Sequence, residues 1–414
     1  MWYTYIKCLV TFSIKLKDLK RGDKMNAPKL RFKEFNDEWI SYKFYDLVSI
    51  INGQVDPNKK EYCNLPHIGP GNIEKETGRL LEYNLAKDDK LISSKYLFNE
   101  KSVIYGKINP HFAKVCYPKF VGLCSADAYP INPIEEKLTS TFLLYLLLNP
   151  KFTKFATSVS MRTGMPKINR DELGIYKFII PKINEQIKIG KTLELLDKKI
   201  ELQTKKIEDL KLFKKGLLIK EFNNKKCNNK LNECFDFGKA GGTPKSTNKD
   251  YYNGHIPFLS IGDMTAQGKY IYYTDKSITD AGLNNSAAWL VPKNSIIISM
   301  YASYGLVSIN KINLATSQAM FNMIINKNYV IEYIYYYLYY LYISNFYNSI
   351  VSTGTQSNLN AEQIKALDIY LPCYNEQKRI YMQFNVIDFK IDLERKKINE
   401  LLYLKKGLMQ NMFV

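Results

Sequence analysis

Two short stretches of this chain repeat the pattern Pro-x-x-Asn-Glu-Gln: PKINEQIKI at 181–189 and PCYNEQKRI at 372–380. The two prolines are 191 residues apart, and segments that precede them align at nearly the same interval. The aligned pairs are LPHIGPGNI (65–73) with IPFLSIGDM (256–264), and SMRTGMPKINRDEL (160–173) with IVSTGTQSNLNAEQI (350–364). Self-similarity at so long an interval indicates a duplicated structural unit. We therefore predict a tandem repeat of two units, alike after the proline and divergent before it.

The segment after each proline carries a helical heptad pattern. Apolar residues recur at alternating spacings of four and three, in the first copy at Ile189, Leu193, Leu196, Ile200, Ile207, Leu210 and Leu217. In the second copy they recur 191 residues later, at Ile380, Phe384, Ile387, Ile391, Ile398, Leu401 and Leu408. Polar residues interrupt both copies at matching places, namely Gln203 and Lys214, then Glu394 and Lys405. The pattern predicts two long helices, each roughly 55–60 Å in length, with a coiled-coil seam.

The start of each long helix is also marked in the sequence. Pro181 and Pro372 block continuation of any earlier helix. Asn184 and Asn375 are expected to be the N-caps, since an asparagine side chain can accept a hydrogen bond from a free backbone N–H. The glutamate after each asparagine suits the positive end of the helix dipole.

The two helices are predicted to pair with each other. A single amphipathic helix usually packs on its own domain, but two copies with matching polar interruptions favour mutual pairing. The order globule, helix, globule, helix allows an antiparallel arrangement with one globule at each end. The helix midpoints then lie near Gln203 and Glu394, and we expect these side chains to face each other and fix the register.

The formal charge of the chain is +19 and its pI is about 9.3. This excess favours a polyanionic partner, nucleic acid first and an acidic membrane surface second. The alternative is an AT-rich genome that encodes lysine freely. Seven cysteines without a CxxC pair indicate a reducing cytoplasm, and three widely separated histidines argue against a zinc cluster. No segment reaches the roughly 18 apolar residues needed to span a bilayer.

The predicted fold class is α+β, because short β-branched runs alternate with segments of helical length. Two α/β domains are expected, separated by two long helices that form an antiparallel coiled coil in a pseudo-twofold tandem repeat. The predicted boundaries are an N-terminal extension at 1–27, disordered or from upstream translation, a first domain at 28–182, a long helix at 183–222, a linker at 223–230, a second domain at 231–373, and a second long helix at 374–414.

Catalytic motifs are absent from the sequence. There is no Gly-rich loop for AdoMet or NAD and no GxxxxGK[ST] for ATP. Asn109-Pro110-His111-Phe112 superficially resembles the Asn-Pro-Pro-Phe of adenine methyltransferases, but without a cofactor loop we interpret it as coincidence. The Asp197-Lys198-Lys199 string in the lysine-rich helix supports a nuclease centre only weakly. The chain is therefore predicted to bind a partner and to have no catalytic or metal site.

Two divergent globules, each followed by a near-repeated helix beginning Pro-x-x-Asn-Glu-Gln, resemble the DNA-specificity (S) subunit of type I restriction-modification systems. The resemblance extends to PKLRFKEFNDEW, YGKINPHFAKV (105–115), GGTPKSTNKDYYNGHIPFLSIGDM (241–264) and TGTQSNLN (353–360). It implies two target-recognition domains that read the halves of a bipartite, asymmetric DNA site, and paired helices that set the spacing. It also implies docking of two methyltransferase (M) subunits and, in the full complex, restriction (R) subunits. AdoMet, ATP and Mg would be used by those partners, and the S subunit itself would be non-catalytic.

The resemblance also suggests which residues face DNA. In the first domain they are Asn52, Gln54, Asn72, Lys107, Asn109, His111, Lys114, Arg162 and Lys167. In the second they are Thr243, Lys245, Ser246, Tyr252, Asp263, Tyr301, Ser303, Tyr304, Thr353, Gln356 and Asn358. The lysines at 107, 114 and 245 are assigned to phosphates. The amides at 54, 72, 356 and 358 are assigned to bases, because an amide can bind adenine bidentately.

Other interpretations remain open. The chain could be an S-like recognition module without partners, or a silent cassette that exchanges domains by recombination. It could be a coiled-coil adaptor that binds only protein, with a positive charge that is merely compositional. A nuclease or methyltransferase with a cryptic site is the third alternative.

Overall fold

The computed structural model describes residues 14–16 and 27–414, except for 162–163, 302 and 352–357. The chain divides into two compact units. Unit 1 comprises residues 1–203 and 397–414, and unit 2 comprises residues 204–396. Each unit therefore contains the beginning of one long helix and the end of the other.

The two long helices are Ile183–Phe222 and Tyr374–Asn411, here called the first and second long helix. The shorter α-helices are Phe44–Leu47, Ser140–Leu148, Pro150–Val159 and Arg170–Ile175 in unit 1, and Ile261–Gln267, Asp280–Asn284, Ile331–Ile343 and Ala361–Lys365 in unit 2. Short 3-10 helices lie at Pro70–Asn72, Pro110–Phe112, Leu231–Cys234, Lys249–Tyr251 and Phe346–Ser349. In the part of the chain that the structure describes, no helix is both long and apolar enough to cross a membrane.

The strands of unit 1 are β1 (Ile14–Leu16), β2 (Leu30–Phe32), β3 (Ile40–Lys43), β4 (Val48–Ile50), β5 (His67–Ile68), β6 (Tyr96–Phe98), β7 (Val103–Gly106), β8 (Val115–Cys116), β9 (Gly122–Cys124), β10 (Ala128–Pro133) and β11 (Lys177–Ile180). The main sheet has the order β4-β10-β7-β8 and is antiparallel throughout. A second sheet, β5-β9-β6, contains one parallel pair, and β3 pairs with β11. Strand β1 pairs with β2, so three residues of the predicted N-terminal extension lie in a strand.

The strands of unit 2 are β12 (Asn229–Lys230), β13 (Phe235–Ala240), β14 (Tyr252–Leu259), β15 (Tyr270–Ile271), β16 (Lys276–Ile278), β17 (Ile296–Ser299), β18 (Val307–Asn310), β19 (Ala315–Thr316), β20 (Met320–Ile325) and β21 (Asp368–Ile369). The main sheet has the order β13-β20-β17-β18-β15, and a second sheet has the order β16-β14-β19. Strand β12 pairs with β21. Both units thus combine a largely antiparallel main sheet with a smaller mixed sheet and a two-stranded ribbon, as a duplication predicts.

The core of each unit is closed by residues at the end of a long helix or just beyond it. In unit 1, the ring of Phe413 stacks on that of Phe142 with centroids 5.2 Å apart. Phe142 belongs to Ser140–Leu148, a helix in which every residue from 142 to 148 is buried. In unit 2, the ring centroid of Phe222 lies 5.9 Å from that of Tyr333, which belongs to the corresponding helix, Ile331–Ile343. These apolar contacts fix the long helices to the domains because burial of large aromatic rings is strongly stabilising.

The two lysines that interrupt the heptad pattern, Lys214 and Lys405, have defined partners. Each unit contains a Lys–Asp–Tyr triad in which a lysine of one long helix pairs with an aspartate of the other, and a tyrosine hydroxyl donates to the same aspartate. In unit 1 the members are Lys405, Asp197 and Tyr145, with contacts of 2.6 and 2.9 Å. In unit 2 they are Lys214, Asp388 and Tyr336, with both contacts at 2.5 Å. All three members recur at the interval of 191 residues.

The predicted N-caps are wrong. The long helices begin at Ile183 and Tyr374, so Asn184 and Asn375 lie inside the first turn. The structural reason is the glutamine of each Asn-Glu-Gln motif. Gln186 Nε2 donates to the carbonyl of Pro181 at 2.9 Å, and Gln377 Nε2 donates to the carbonyl of Pro372 at 2.8 Å. These bonds hold the helix close to the proline, and the helix therefore begins before the asparagine.

The same glutamines also tie the long helices to the cores. Gln186 is fully buried, and its Oε1 accepts from the backbone N–H of Thr139 at 3.1 Å. Thr139 is the N-cap of Ser140–Leu148. Gln377 likewise accepts at 3.0 Å from Val330, the N-cap of Ile331–Ile343. One side chain thus satisfies an N–H that the following helix leaves unpaired.

Candidate nucleic-acid interface

The hairpin formed by β7 and β8 places the loop 107–114 next to the segment that precedes Arg170–Ile175. Ile168 N–H donates to the carbonyl of Lys107 at 3.1 Å, and Asn109 N–H donates to that of Pro166 at 2.8 Å. Asn169 then caps the short helix through a capping box with Glu172. Lys107, Asn109 and Lys167, predicted from distant parts of the sequence, therefore belong to one surface of unit 1.

Unit 2 builds the corresponding surface on the same frame. The hairpin of β17 and β18 is held by a hydrogen bond of 3.0 Å from Leu359 N–H to the carbonyl of Met300. Leu359 is the counterpart of Ile168 at the interval of 191 residues, and both side chains are buried. Asn360 then caps Ala361–Lys365. The frame is shared, while the side chains that it exposes differ.

Positive charge gathers around Tyr129 in unit 1. Lys107 Nζ lies 5.2 Å from the centroid of its ring, and the guanidinium carbon of Arg170 lies 5.4 Å from it. Lys107 is only 9% exposed. Its burial lowers the pKa of its ammonium group, and the nearby charge of Lys167 lowers that pKa further. Poorly hydrated positive charges that repel one another would be relieved by an anion such as a phosphate.

A second basic group flanks the other end of the 107–114 loop. Lys114 Nζ donates to the carbonyl of Pro70, and burial, followed by the charge of Lys75, lowers the pKa of Lys114. Lys75 Nζ lies 3.6 Å above the ring of Phe112. His111 is exposed, and its ring centroid lies 4.1 Å from that of Phe112. These groups extend the basic surface along the loop.

Some predicted residues have their polar atoms engaged within the domain. Asn72 accepts from Gly69 N–H at 2.9 Å and donates to the carbonyl of Glu82 at 2.7 Å, so its amide stabilises a turn. Asp263 is 3% exposed, and its carboxylate accepts from Ser260 in a capping box. It was predicted as a polar residue of a DNA-facing loop, although the Ser-x-x-Asp spacing is itself a helix-start signal.

Other predicted residues of unit 2 lie on exposed loops. Thr243, Lys245 and Ser246 are exposed, and the Thr243 hydroxyl donates to Gln318. Tyr252 lies next to them, with its hydroxyl donating at 2.6 Å to the carbonyl of Pro244. Tyr301 is also exposed, and Asn358 is half-buried.

A cleft adjoins the tip of the β17–β18 hairpin. It is lined by Ser303, Tyr304, Tyr342, Asn345, Tyr347 and Asn348. The Tyr304 hydroxyl donates to Asn348 Oδ1 at 2.7 Å. Gly305 has a φ of 84°, and a Cβ there would lie 2.2 Å from the ring of Tyr347. Only glycine fits this close approach, which holds the hairpin tip over the tyrosine.

The remaining predictions have mixed outcomes. Asn52 and Gln54 lie exposed on the loop after β4. Arg162, Thr353 and Gln356 lie outside the residues that the structure describes. Arg170 and Lys75 join the basic surface, although neither was predicted from the sequence. Arg170 follows the cap residue Asn169 directly, and a capping box beside predicted site residues could have drawn attention to it.

Within the described ranges, no group of three or more His, Cys, Asp or Glu side chains could hold a metal ion.

A family model for the type I restriction modification DNA specificity domain matches residues 36–212 and again residues 224–403. The chain belongs to this family. The resemblance inferred from the repeated motifs is thus confirmed, and the match covers both copies of the duplication.

Known relatives agree with this assignment. The chain is 33% identical over 178 residues to the type I restriction enzyme EcoDI specificity subunit of Escherichia coli, an alignment that covers 42% of this chain and 39% of that protein. It is 24% identical over 416 residues to the putative MjaX specificity subunit of Methanocaldococcus jannaschii, covering 93% and 95% respectively. The E. coli alignment thus spans about two fifths of its relative, whereas the second alignment spans nearly all of it.

Solved structures share the fold. The S subunit of the type I restriction-modification system from M. genitalium matches with a TM-score of 0.56 at 16% identity, over 94% of this chain and 99% of that one. A chain from a structure of type I R-M complex assembly and conformational transition matches with a TM-score of 0.58 at 17% identity, over 91% and 97%. Both likenesses concern the fold alone.

Proposed function

We propose that this chain is the DNA-specificity subunit of a type I restriction-modification complex and that each unit reads one half of a bipartite, asymmetric DNA site. The observation that carries this proposal is the shared frame with unlike surfaces. In both units a hairpin is bonded to the segment before an asparagine-capped helix. The side chains exposed there are mainly cationic and amide groups in unit 1, but mainly hydroxyl groups, together with Lys245, in unit 2. Unlike surfaces on a common frame suit two different half-sites.

The basic surface of unit 1 supports contact with phosphates. Lys75 and Lys167 are exposed, while Lys107 and Lys114 add charge from less accessible positions. Contacts to phosphates supply affinity and register, whereas contacts to base edges supply specificity. The lysines would therefore position the duplex for the exposed side chains at Asn52 and Gln54.

We further infer that the two long helices form an antiparallel coiled coil and that the chain has pseudo-twofold symmetry. The triads support this inference, because Asp197 of the first helix pairs with Lys405 while Lys214 pairs with Asp388. As residue numbers rise along one helix, those of the partners fall along the other. Lys206 also pairs with Glu394 at 2.8 Å, in agreement with this order. The facing of Gln203 and Glu394 stays a prediction.

The long helices also offer a face for partner subunits. Apolar side chains that are 42% to 70% exposed recur at the interval of 191 residues, as Leu195 and Val386, Leu202 and Leu393, and Leu212 and Tyr403. Exposed apolar side chains that cluster on one face are typical of protein interfaces. Two equivalent faces would accept two copies of one partner, and we assign them to two M subunits, with R subunits joining in the full complex. The chain itself would be non-catalytic and cytoplasmic, and AdoMet, ATP and Mg would be used by the partners.

The proposal is tested by methylation. A host that carries a type I M subunit is given this gene, and its methylome is compared with that of the host without the gene. We expect a split motif to be methylated only when both proteins are present. Purified M subunit mixed with this chain should likewise transfer methyl groups from AdoMet to such a site. Methylation of the same motif by the M subunit alone, or of no motif at all, would contradict the assignment.

The phosphate contacts are tested by salt dependence. The double variant Lys75→Gln with Lys167→Gln should weaken binding to all duplexes and reduce the slope of log affinity against log salt by about one for each lysine that binds a phosphate. Lys327→Gln changes an exposed lysine of unit 2 that lies outside the proposed surface, and it serves as the matched control. A slope equal to that of the control variant would remove the two lysines from the interface.

A further inference from the structure

Arg170 holds the loop that follows β4. Its guanidinium donates to the backbone carbonyl of Ile51 at 3.0 Å and to that of Ile50 at 3.4 Å. A further N–H donates to the side-chain oxygen of Asn52. The guanidinium also lies over the ring of Tyr129. Three consecutive residues are thus anchored by one side chain that is only partly exposed.

This anchoring fixes the orientation of the Asn52 amide. An arginine guanidinium has hydrogen-bond donors only, so the atom of Asn52 that faces it must be the carbonyl oxygen. The Nδ2 group of this exposed residue is then directed away from Arg170 and offers two N–H donors. An asparagine that is free to turn can bind adenine bidentately, but this contact needs its oxygen as an acceptor for the adenine amino group. In Asn52 that oxygen already accepts from a guanidinium N–H, and the positive charge of Arg170 disfavours a second donor, the adenine amino group, at the same oxygen.

We propose that Asn52 is a fixed hydrogen-bond donor that reads a guanine edge and that Arg170 is its positioning residue. Guanine is the base that presents two acceptors, N7 and O6, in the major groove. The positive charges of Lys107 and Lys167 beside Arg170 attract the acceptor atoms of a base edge and repel an amino group, so they also favour guanine. This inference rests on the proposed function, since it concerns how unit 1 reads its half-site.

Unit 2 differs from unit 1 at the position that corresponds to Arg170. The residue that follows the cap Asn360 is Ala361, in the place that Arg170 occupies after Asn169. A change at Arg170 should therefore alter the base preference of one half-site only. The half-site read by unit 2 becomes an internal control within the same molecule.

The test is selection from a library of duplex DNA with randomised sequence, with the full chain in complex with its M subunit. The wild-type chain should enrich a split site with guanine at one position of the half-site read by unit 1. Arg170→Gln should relax the preference at that position by at least about tenfold and leave the other half-site unchanged. Arg170→Lys, which retains a donor, should keep part of the preference.

Asn52→Asp gives the sharper readout. The aspartate can still accept from Arg170 but has no N–H to offer, so the preference should move from guanine to a base with an exocyclic amino group, most simply cytosine. A purely structural role of Arg170 would weaken binding without changing any base preference. Thermal unfolding of each variant establishes that it is folded.

The outcomes separate two failures. If the wild-type complex enriches a split site and neither Arg170→Gln nor Asn52→Asp changes a base preference, this inference is overturned and the proposed function stands. If the wild-type complex enriches no sequence, the proposed function itself fails. Enrichment of adenine at the position that responds to Asn52→Asp would overturn the donor assignment alone.

Discussion

Replacing Gln186 by Met should lower the free energy of unfolding by about 3 kcal/mol. The Gln186 amide is fully buried and makes three hydrogen bonds, to the carbonyls of Lys137 at 2.7 Å and Pro181 at 2.9 Å and from Thr139 N–H at 3.1 Å. A hydrogen bond contributes about 1 kcal/mol net, and a buried group left without a partner costs at least as much. Methionine has nearly the same length and volume, so the decrease reflects hydrogen bonding and not a cavity.

The corresponding variant in unit 2, Gln377→Met, provides a comparison for the loss of stability in Gln186→Met. Gln377 makes two such bonds, so Gln377→Met should cost about 2 kcal/mol. Gln383→Met is the control, since this residue is exposed on the second long helix, and its effect should stay within about 0.5 kcal/mol.

Urea unfolding followed by far-ultraviolet circular dichroism measures all three variants, with equal m-values as the condition for comparison. The destabilisation should be largest for Gln186→Met, smaller for Gln377→Met and smallest for Gln383→Met. If Gln186→Met were no more destabilising than Gln383→Met, the buried glutamines would not be what fixes the start of the long helices.

Three further perturbations follow from the structure. Burial lowers the pKa of Lys269 to about 8. Between about pH 8 and 10 the unfolded chain therefore binds more protons at this residue than the folded chain does. As a result, the contribution of Lys269 to the free energy of unfolding rises with pH in this range. Lys269→Met should remove that rise, up to about 1.4 kcal/mol per pH unit, and parallel pH profiles of wild type and variant in urea unfolding would contradict it. Phe413→Ala should cost about 3–5 kcal/mol in the same assay because it leaves a cavity in the core of unit 1. Gly305→Ala should lower thermal stability more than Gly53→Ala does. Both glycines have a positive φ, but only a Cβ at position 305 would lie against Tyr347. Equal decreases in thermal stability would show that the tyrosine ring moves aside without an energetic cost.

The long helices were accessible from the sequence because their signal is local and repeated. The heptad pattern predicts helices over 183–222 and 374–414, and the structure has them at Ile183–Phe222 and Tyr374–Asn411. The partners of the polar interruptions were not accessible. Lys405 pairs with Asp197, which also accepts from the Tyr145 hydroxyl, only after distant parts of the chain have folded together, and spacing within one helix carries no information about such contacts.

The candidate site was predictable as a set of loops but not as a surface. The sequence identified the 107–114 loop and Lys167, and the structure places them side by side. It could not indicate that Lys107 would be nearly buried, because burial depends on packing around Tyr129. Nor could it indicate that Arg170 would fix the orientation of Asn52, since this contact joins residues 118 positions apart.

The division of the two long helices between the units has a consequence for synthesis on the ribosome. Residues 397–414 complete the core of unit 1, yet the whole of unit 2 lies between them and residue 203 in the sequence. At about 5–20 residues per second, the interval is on the order of 10–40 s. Throughout that time Phe413 has not been synthesised, and the apolar surface around Phe142 that it covers is exposed to solvent. The domain that is translated first is therefore the one that finishes folding last, and it depends most on protection from aggregation while the ribosome is still at work.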